Sequence, residues 1–407
     1  MIRRLLPFLA LTVATTAAAQ RADTIEIARM RPRGLLVDNY SYMSPPFNWH
    51  YFHHIDQLDF RLDTVRRAGL VLPFAQSPKL FGVRYVVNGK SYTFEDYLTQ
   101  NHVTGFLVLH DNVILVERYL HGATPGSRFV SQSISKSIVA VLVGIAVDRH
   151  LIDSVNEKVT RYLPELASSG YRNATIKNVL QMSTGVDYSE NYQDSTSGAA
   201  RIGAALVAGE QSFHDFVGSM KPTATPPGTT FEYQSVNTQL LGMLLEKATG
   251  WPLNEFATAM LWEKLGAESD AFFYRSKKQT DICAFACFNA TLRDYGRVGL
   301  MMLNRGRSGE QQVVSEEWVR QSTTADAAYL TPGTTPGGKM GYGYQWWLPP
   351  GHPGVFEAIG IYGQSIWVDP AKRLVIVQTS AWPTPIGSLD LYMHSTAVRD
   401  AIAATIP

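Results

Sequence analysis

Cysteine is nearly missing: two thiols in 407 residues cannot build a disulfide scaffold or a zinc site made from cysteine quartets. An excess of either charge is missing too. Lys and Arg total 36 against 35 Asp and Glu, a formal +1 at pH 7, so the charge balance gives no reason to expect nucleic acid or an anionic membrane as partner. No stretch approaches the roughly 20 uninterrupted apolar residues that a membrane-spanning helix needs. The Gly-x-Ser-x-Gly elbow is absent, which removes the nucleophile of an α/β-hydrolase. What is there is 45% hydrophobic and 17% charged, enough to bury a large core in roughly two or three domain-sized units or one interleaved one.

The N-terminus reads as a leader. Arg3 and Arg4 precede the apolar run Leu5 to Val13, and Ala17-Ala18-Ala19 stands before Gln20, the small-residue form that a signal peptidase cuts. Residues 1–19 are therefore expected to be a signal peptide cleaved after Ala19. No cysteine at the cut invites lipid attachment, so the mature chain is expected in the periplasm or secreted, without a stable membrane anchor. Residues 20–80 form an N-terminal extension carrying Pro45-Pro46, many aromatics and His50, His53 and His54. Three histidines at that spacing could share a helix face and hold a metal. No acidic residue completes a HExxH-type motif, so aromatic packing without a metal is the expectation.

From Gly105 the pattern turns to strands. Phe106 to Leu109 and Val113 to Val116 flank a polar turn, and Ser365 to Val368 and Leu374 to Val377 flank another; each reads as a hairpin. The two hairpins, far apart in sequence, are expected to be neighbours in one antiparallel sheet. Between them the chain reads as helical. Ile138 to Val147 is apolar on every face, as in a helix buried on all sides. Thr175 to Met182, Thr238 to Ala248 stopped by Gly250, and Leu292 to Leu303 read as further helices. The expected fold class is α/β (α+β): an antiparallel sheet flanked by helices, built from residues 81–150 and 291–407, with an inserted all-α region over 151–290.

Three segments carry chemistry. Ser133 and Lys136 lie three residues apart at the mouth of the apolar helix, one turn from each other on one face. A serine hydroxyl attacks only if a base removes its proton, and a lysine does so only where its ammonium form is disfavoured, which burial achieves. Chance supplies about one Ser-x-x-Lys in a chain this long, so position rather than pattern gives the motif weight. A helix cap with a surface lysine is the plain alternative, and Ser131 or Ser135 could replace Ser133. Tyr233, on the loop before a helix, can relay protons if nearby cations hold it partly as phenolate. Gly360 and Gly363 at a strand rim let backbone approach a ligand, and an exposed N–H there could join that of the nucleophile in an oxyanion hole.

In this order the segments resemble the serine β-lactamase and penicillin-recognising superfamily, with Ser-x-x-Lys, then Tyr-x-Ser, then a strand motif at Ala358-Ile-Gly360. The resemblance covers about Gly105 to Ser380. Through Tyr233-Gln-Ser235, Asp187-Tyr-Ser-Glu190-Asn-Tyr192 and Gly360-Ile-Tyr-Gly-Gln364 it is most similar to the branch of 6-aminohexanoate-dimer hydrolases and related carboxylesterases. It implies a β-lactamase-like fold and a serine hydrolase of small esters or amides, with no cofactor. It implies Ser133 as nucleophile, Lys136 as its base, Tyr233 as proton carrier, the N–H groups of Ser133 and Ile361 as oxyanion hole, and Ser235 and Gly360 as substrate contacts. Ala358 stands where β-lactamases and D,D-peptidases carry Lys or His, which removes a charge-assisted contact to a substrate carboxylate and argues against penicillin turnover. The alternatives are a penicillin-binding D-aminopeptidase or D,D-carboxypeptidase, and a non-catalytic binding protein of this fold.

Three further pairs remain. Asp187 and Glu190 could bind a substrate amine. Trp346 and Trp347 could line the cleft or pack in the core. Cys283 and Cys287 are close enough to bridge in an oxidising compartment.

Overall fold

The computed structural model describes residues 41–67, 69–77, 82–334 and 340–406. The leader and the first part of the extension, residues 1–40, lie outside them.

A large sheet organises the molecule. Its strands are β1 (Ala75–Gln76), β2 (Val103–His110), β3 (Val113–Tyr119), β4 (Gly341–Tyr342), β5 (Trp347–Leu348), β6 (Phe356–Gly360), β7 (Gln364–Asp369) and β8 (Leu374–Ser380), in the spatial order β4-β5-β6-β7-β8-β2-β3-β1. All pairs are antiparallel except β1 with β3. The two sequence-distant hairpins do meet: β8 pairs with β2 from Leu374 opposite His110 to Thr379 opposite Gly105. These central strands are near-continuous apolar runs because both of their faces are covered.

Four helices matter most: α1 (Ile134–Asp148), α2 (Ser235–Thr249), α3 (Leu292–Leu303) and α4 (Leu389–Thr405). On one face of the sheet α3 packs so closely that a Cβ on Gly296 would meet Leu107 at 2.8 Å, and one on Gly299 would meet Val375 at 2.6 Å. On the other, Val398 and Ile402 of α4 join Phe106, Val108 and Ile376 in a second core. The main core runs without a break from Tyr42 through α1 and α2 to Trp382.

The helix at the nucleophile starts earlier than its apolar run. It opens at Ile134, and every residue from Ile134 to Ala146 is buried. The second helix begins at Ser235 and stops at Gly250, whose φ of 73° is the left-handed conformation glycine adopts freely. The helix expected near Thr175 is shorter, Ile176–Leu180, and is fixed by a capping box between Thr175 and Asn178.

The inserted region is not wholly helical. Its strands Ala271–Ser276 and Phe288–Ala290 sit in a second, four-stranded sheet between Phe60–Val65 and Phe129–Val130. The buried pair Arg275 to Asp63, 2.6 Å, joins the N-terminal strand to its neighbour. Phe129–Val130 leads straight into the loop carrying Ser133.

Candidate active site

Ser133 stands immediately before α1 at its N-terminus, and its hydroxyl makes no capping hydrogen bond to the helix. The residue before it, Gln132, is held at φ 47°, a left-handed conformation that costs a non-glycine residue of order 1–3 kcal/mol and persists only where surrounding packing imposes it. Here the β6 end imposes it in part. A Cβ on Gly360 would sit 2.4 Å from the Ser131 carbonyl oxygen and 2.9 Å from the Gln132 side chain, so only glycine lets the strand press against the loop.

One turn into α1, the Lys136 Nζ lies 2.8 Å from the Ser133 Oγ and donates to the Phe285 carbonyl at 2.9 Å. Lys136 is 1% exposed. Burial brings its pKa down to about 8, against a smaller opposing pull from the carboxylate of Glu190. A neutral amine has two N–H bonds and one lone pair. With one N–H committed to Phe285, the lone pair can face the serine proton.

The Phe285 carbonyl belongs to a loop closed by a Cys283–Cys287 disulfide, with Cα atoms 5.6 Å apart. The neighbouring Ala284 accepts from the Ser135 Oγ at 2.7 Å through its carbonyl, and its N–H donates to the Gln239 Oε1 at 3.0 Å. Ser135 is thereby occupied, and the Ser131 hydroxyl donates to the Gln132 carbonyl at 2.9 Å. Of the three serines, Ser133 is the one beside the lysine.

Tyr233 arrives from the loop before α2. Its ring stacks on Trp347 at 5.2 Å and lies with its centre 5.2 Å from the Lys136 Nζ. Burial, then the charge of Glu190, push its phenol well above the usual tyrosine range, and a hydrogen bond with Ser133 offsets this only partly. The phenol is therefore held protonated at neutral pH. Desolvation and the Glu190 charge thus oppose the phenolate considered from the sequence, and the phenol can pass a proton on only as it receives one.

Glu190 carries more of the site than its sequence setting suggested. It accepts from the Ser235 N–H at 2.7 Å, the Ser235 Oγ at 2.6 Å and the Tyr192 hydroxyl at 2.6 Å. Ser235 is thus bound to Glu190, while Asp187 is exposed. A cavity of about 290 Å³ is lined by Ser133, Gln132, Glu190, Tyr192, Ser235 and Ile361, with apolar walls from the helix Gly198–Ala208 and from Phe285. Gly360 does not line this cavity; it sets the strand against the Ser133 loop. Trp346 is fully buried in the core, and only Trp347 reaches Tyr233. No cluster of metal-ligating residues occurs among the described residues; His53 is buried with neither ring nitrogen hydrogen-bonded.

The β-lactamase family model matches residues 93–391, a span that holds Ser133, Lys136, Tyr233 and Ile361. The chain belongs to the β-lactamase family. Over 305 residues this family member is 34% identical to a 6-aminohexanoate-dimer hydrolase of Paenarthrobacter ureafaciens, covering 72% of this chain and 76% of that one. Among solved structures, a Bacillus anthracis protein provisionally named a 6-aminohexanoate-dimer hydrolase superposes with a TM-score of 0.83 at 22% identity, covering 92% of this chain and 99% of that one. A family VIII carboxylesterase superposes with a TM-score of 0.57 at 16% identity, covering 75% of this chain and 96% of that one. The chain is a serine hydrolase of the β-lactamase family.

Sequence reasoning missed the Phe285 carbonyl, since a main-chain atom leaves no mark in a residue pattern; the bracketing cysteines were its only signal.

Proposed function

We propose that the protein hydrolyses small esters or amides through an acyl-enzyme on Ser133. The observation that carries this reading is the buried Lys136 Nζ 2.8 Å from the Ser133 Oγ, with its pKa lowered to about 8. The neutral amine removes the hydroxyl proton as the oxygen attacks the substrate carbonyl. The N–H groups of Ser133 and Ile361, two residues that line the cavity, would receive the developing oxyanion, a class of contact commonly worth about 3 kcal/mol. Tyr233, kept protonated, passes its proton to the leaving group as it regains one from the Lys136 ammonium; water then attacks the acyl carbonyl, giving a proton to Lys136, which returns it to the Ser133 Oγ as the acid leaves. No step calls for a cofactor.

Ala358 supports uncharged esters or amides over penicillins. It is fully buried and pairs with Ile366 across the sheet, so it offers no charge to a substrate carboxylate. The exported location stays part of the proposal: the leader-like residues 1–19 and the Cys283–Cys287 bridge both support an oxidising compartment.

Intact mass after incubation with a fluorophosphonate and with a fluorescent penicillin tests this. An adduct from the first alone, lost in Ser133→Ala, is expected. Adducts from both reagents would favour a penicillin-recognising peptidase, and from neither a binding protein. A panel of p-nitrophenyl esters beside the 6-aminohexanoate dimer then separates esterase from amidase.

A further inference from the structure

The family match begins at residue 93, yet part of the wall around Ser133 comes from far upstream. Tyr42 and Met43 line the same cavity as Ser133 and Ile361. Tyr42 is fully buried and its hydroxyl bonds that of Tyr274, another lining residue, at 2.9 Å. The segment that carries them is fastened at three points around the site. The Asn48 Nδ2 donates to the Trp382 carbonyl at 3.0 Å. The Phe52 ring meets Tyr362, next to Ile361, edge-on at 5.2 Å. The Phe52 carbonyl accepts from the Val130 N–H at 2.8 Å, three residues before the nucleophile.

Two features say which part of a substrate this wall meets. Ile202, Leu206 and Val207 join Met43 in the lining, so the pocket suits a flexible apolar arm. Tyr233, the donor to the leaving group, is not among the lining residues and packs instead against Tyr342 and Trp347. The leaving group therefore departs on the Tyr233 side, and the cavity takes the acyl side. Its volume of about 290 Å³ is at the lower end of ligand pockets, about 300–1,000 Å³.

We propose that Tyr42 and Met43, contributed by the N-terminal segment outside the family-matched region, set the length of the aliphatic acyl arm accepted at Ser133. This rests on the reading of Ser133 as the acylated nucleophile. Each methylene denied burial lowers transition-state binding about fourfold. A bulky side chain at position 43 thus penalises long acyl groups and spares short ones.

The test uses the full chain and p-nitrophenyl acetate, butyrate, hexanoate and octanoate, with fluorophosphonate labelling of Ser133 run in parallel. In Met43→Trp, the octanoate-to-acetate ratio of kcat/KM is expected to fall at least tenfold, with the label intact. Met43→Ala, which only removes bulk, should move preference toward longer chains. If Ser133 still labels but all four esters change by one common factor, or the profile stays put in both variants, the wall assignment is overturned while the nucleophile stands. If the parent neither labels nor turns over any ester, the nucleophile reading falls and takes this inference with it.

Discussion

The protonation state of Lys136 gives the most direct quantitative test. A lysine titrating near about 8 is about one-tenth neutral at pH 7 and about nine-tenths neutral at pH 9, whereas an ordinary one near about 10.4 is neutral in only about one molecule in 2,500 at pH 7. Burial thus raises the reactive population at pH 7 roughly 200-fold. Because the neutral form is the base, kcat/KM for p-nitrophenyl acetate, corrected for spontaneous hydrolysis, should rise about tenfold from pH 7 to 9, bend near about 8 and then level off. No further limb from Tyr233 interrupts the plateau, since its phenol is held well above the usual range. Glu190 favours the ammonium form, so Glu190→Gln should move the bend below pH 8. Lys136→Ala should cost about 10²–10⁴ in kcat/KM and abolish the bend. A rate independent of pH from 6 to 9, or a bend that survives in Lys136→Ala, would refute the role given to this amine.

Three further outcomes follow from the same geometry. Gly360→Ala forces a Cβ to 2.4 Å from the Ser131 carbonyl; overpacking of this kind costs about 1–3 kcal/mol, and both Tm and turnover should fall, with unchanged turnover counting against the strand as a support of the Ser133 loop. Burial and then the neighbouring His54 and His50 hold His53 well below the usual histidine range. The unfolded chain takes up that proton near about pH 6.5 while the folded one resists it, so stability is full above pH 6.5 and declines as pH drops below it. Thermal melts from pH 7.5 to 5 should show the decline, flatter in His53→Phe; an identical slope in both would exclude His53 as its source. Reducing the Cys283–Cys287 bridge, or Cys283→Ser with Cys287→Ser, loosens the loop that presents the Phe285 carbonyl to Lys136. That should lower kcat more than it raises KM and, as water enters, shift the pH bend upward; a change confined to Tm would show the bridge to be only structural.

Much of the frame was legible in the chain because it is local. The all-apolar run behind Ser133, the glycine that stops α2 and the apolar hairpins are decided by neighbours a few residues away, and helix spacing alone sets Lys136 one turn from Ser133. The sequence determined which side chains were available for acyl transfer, and also that no cation heads the third motif at Ala358. Tertiary structure decided what each of them can do. Only folding brings the Phe285 carbonyl to Lys136, turns Glu190 onto Ser235 and Tyr192, and desolvates Tyr233 so that its phenol stays protonated. Tyr42 and Met43 reach the cavity from 90 residues upstream of Ser133. The physical reason is common to all of these: desolvation and long-range contact depend on what packs around a group, and that is written nowhere in the residues beside it.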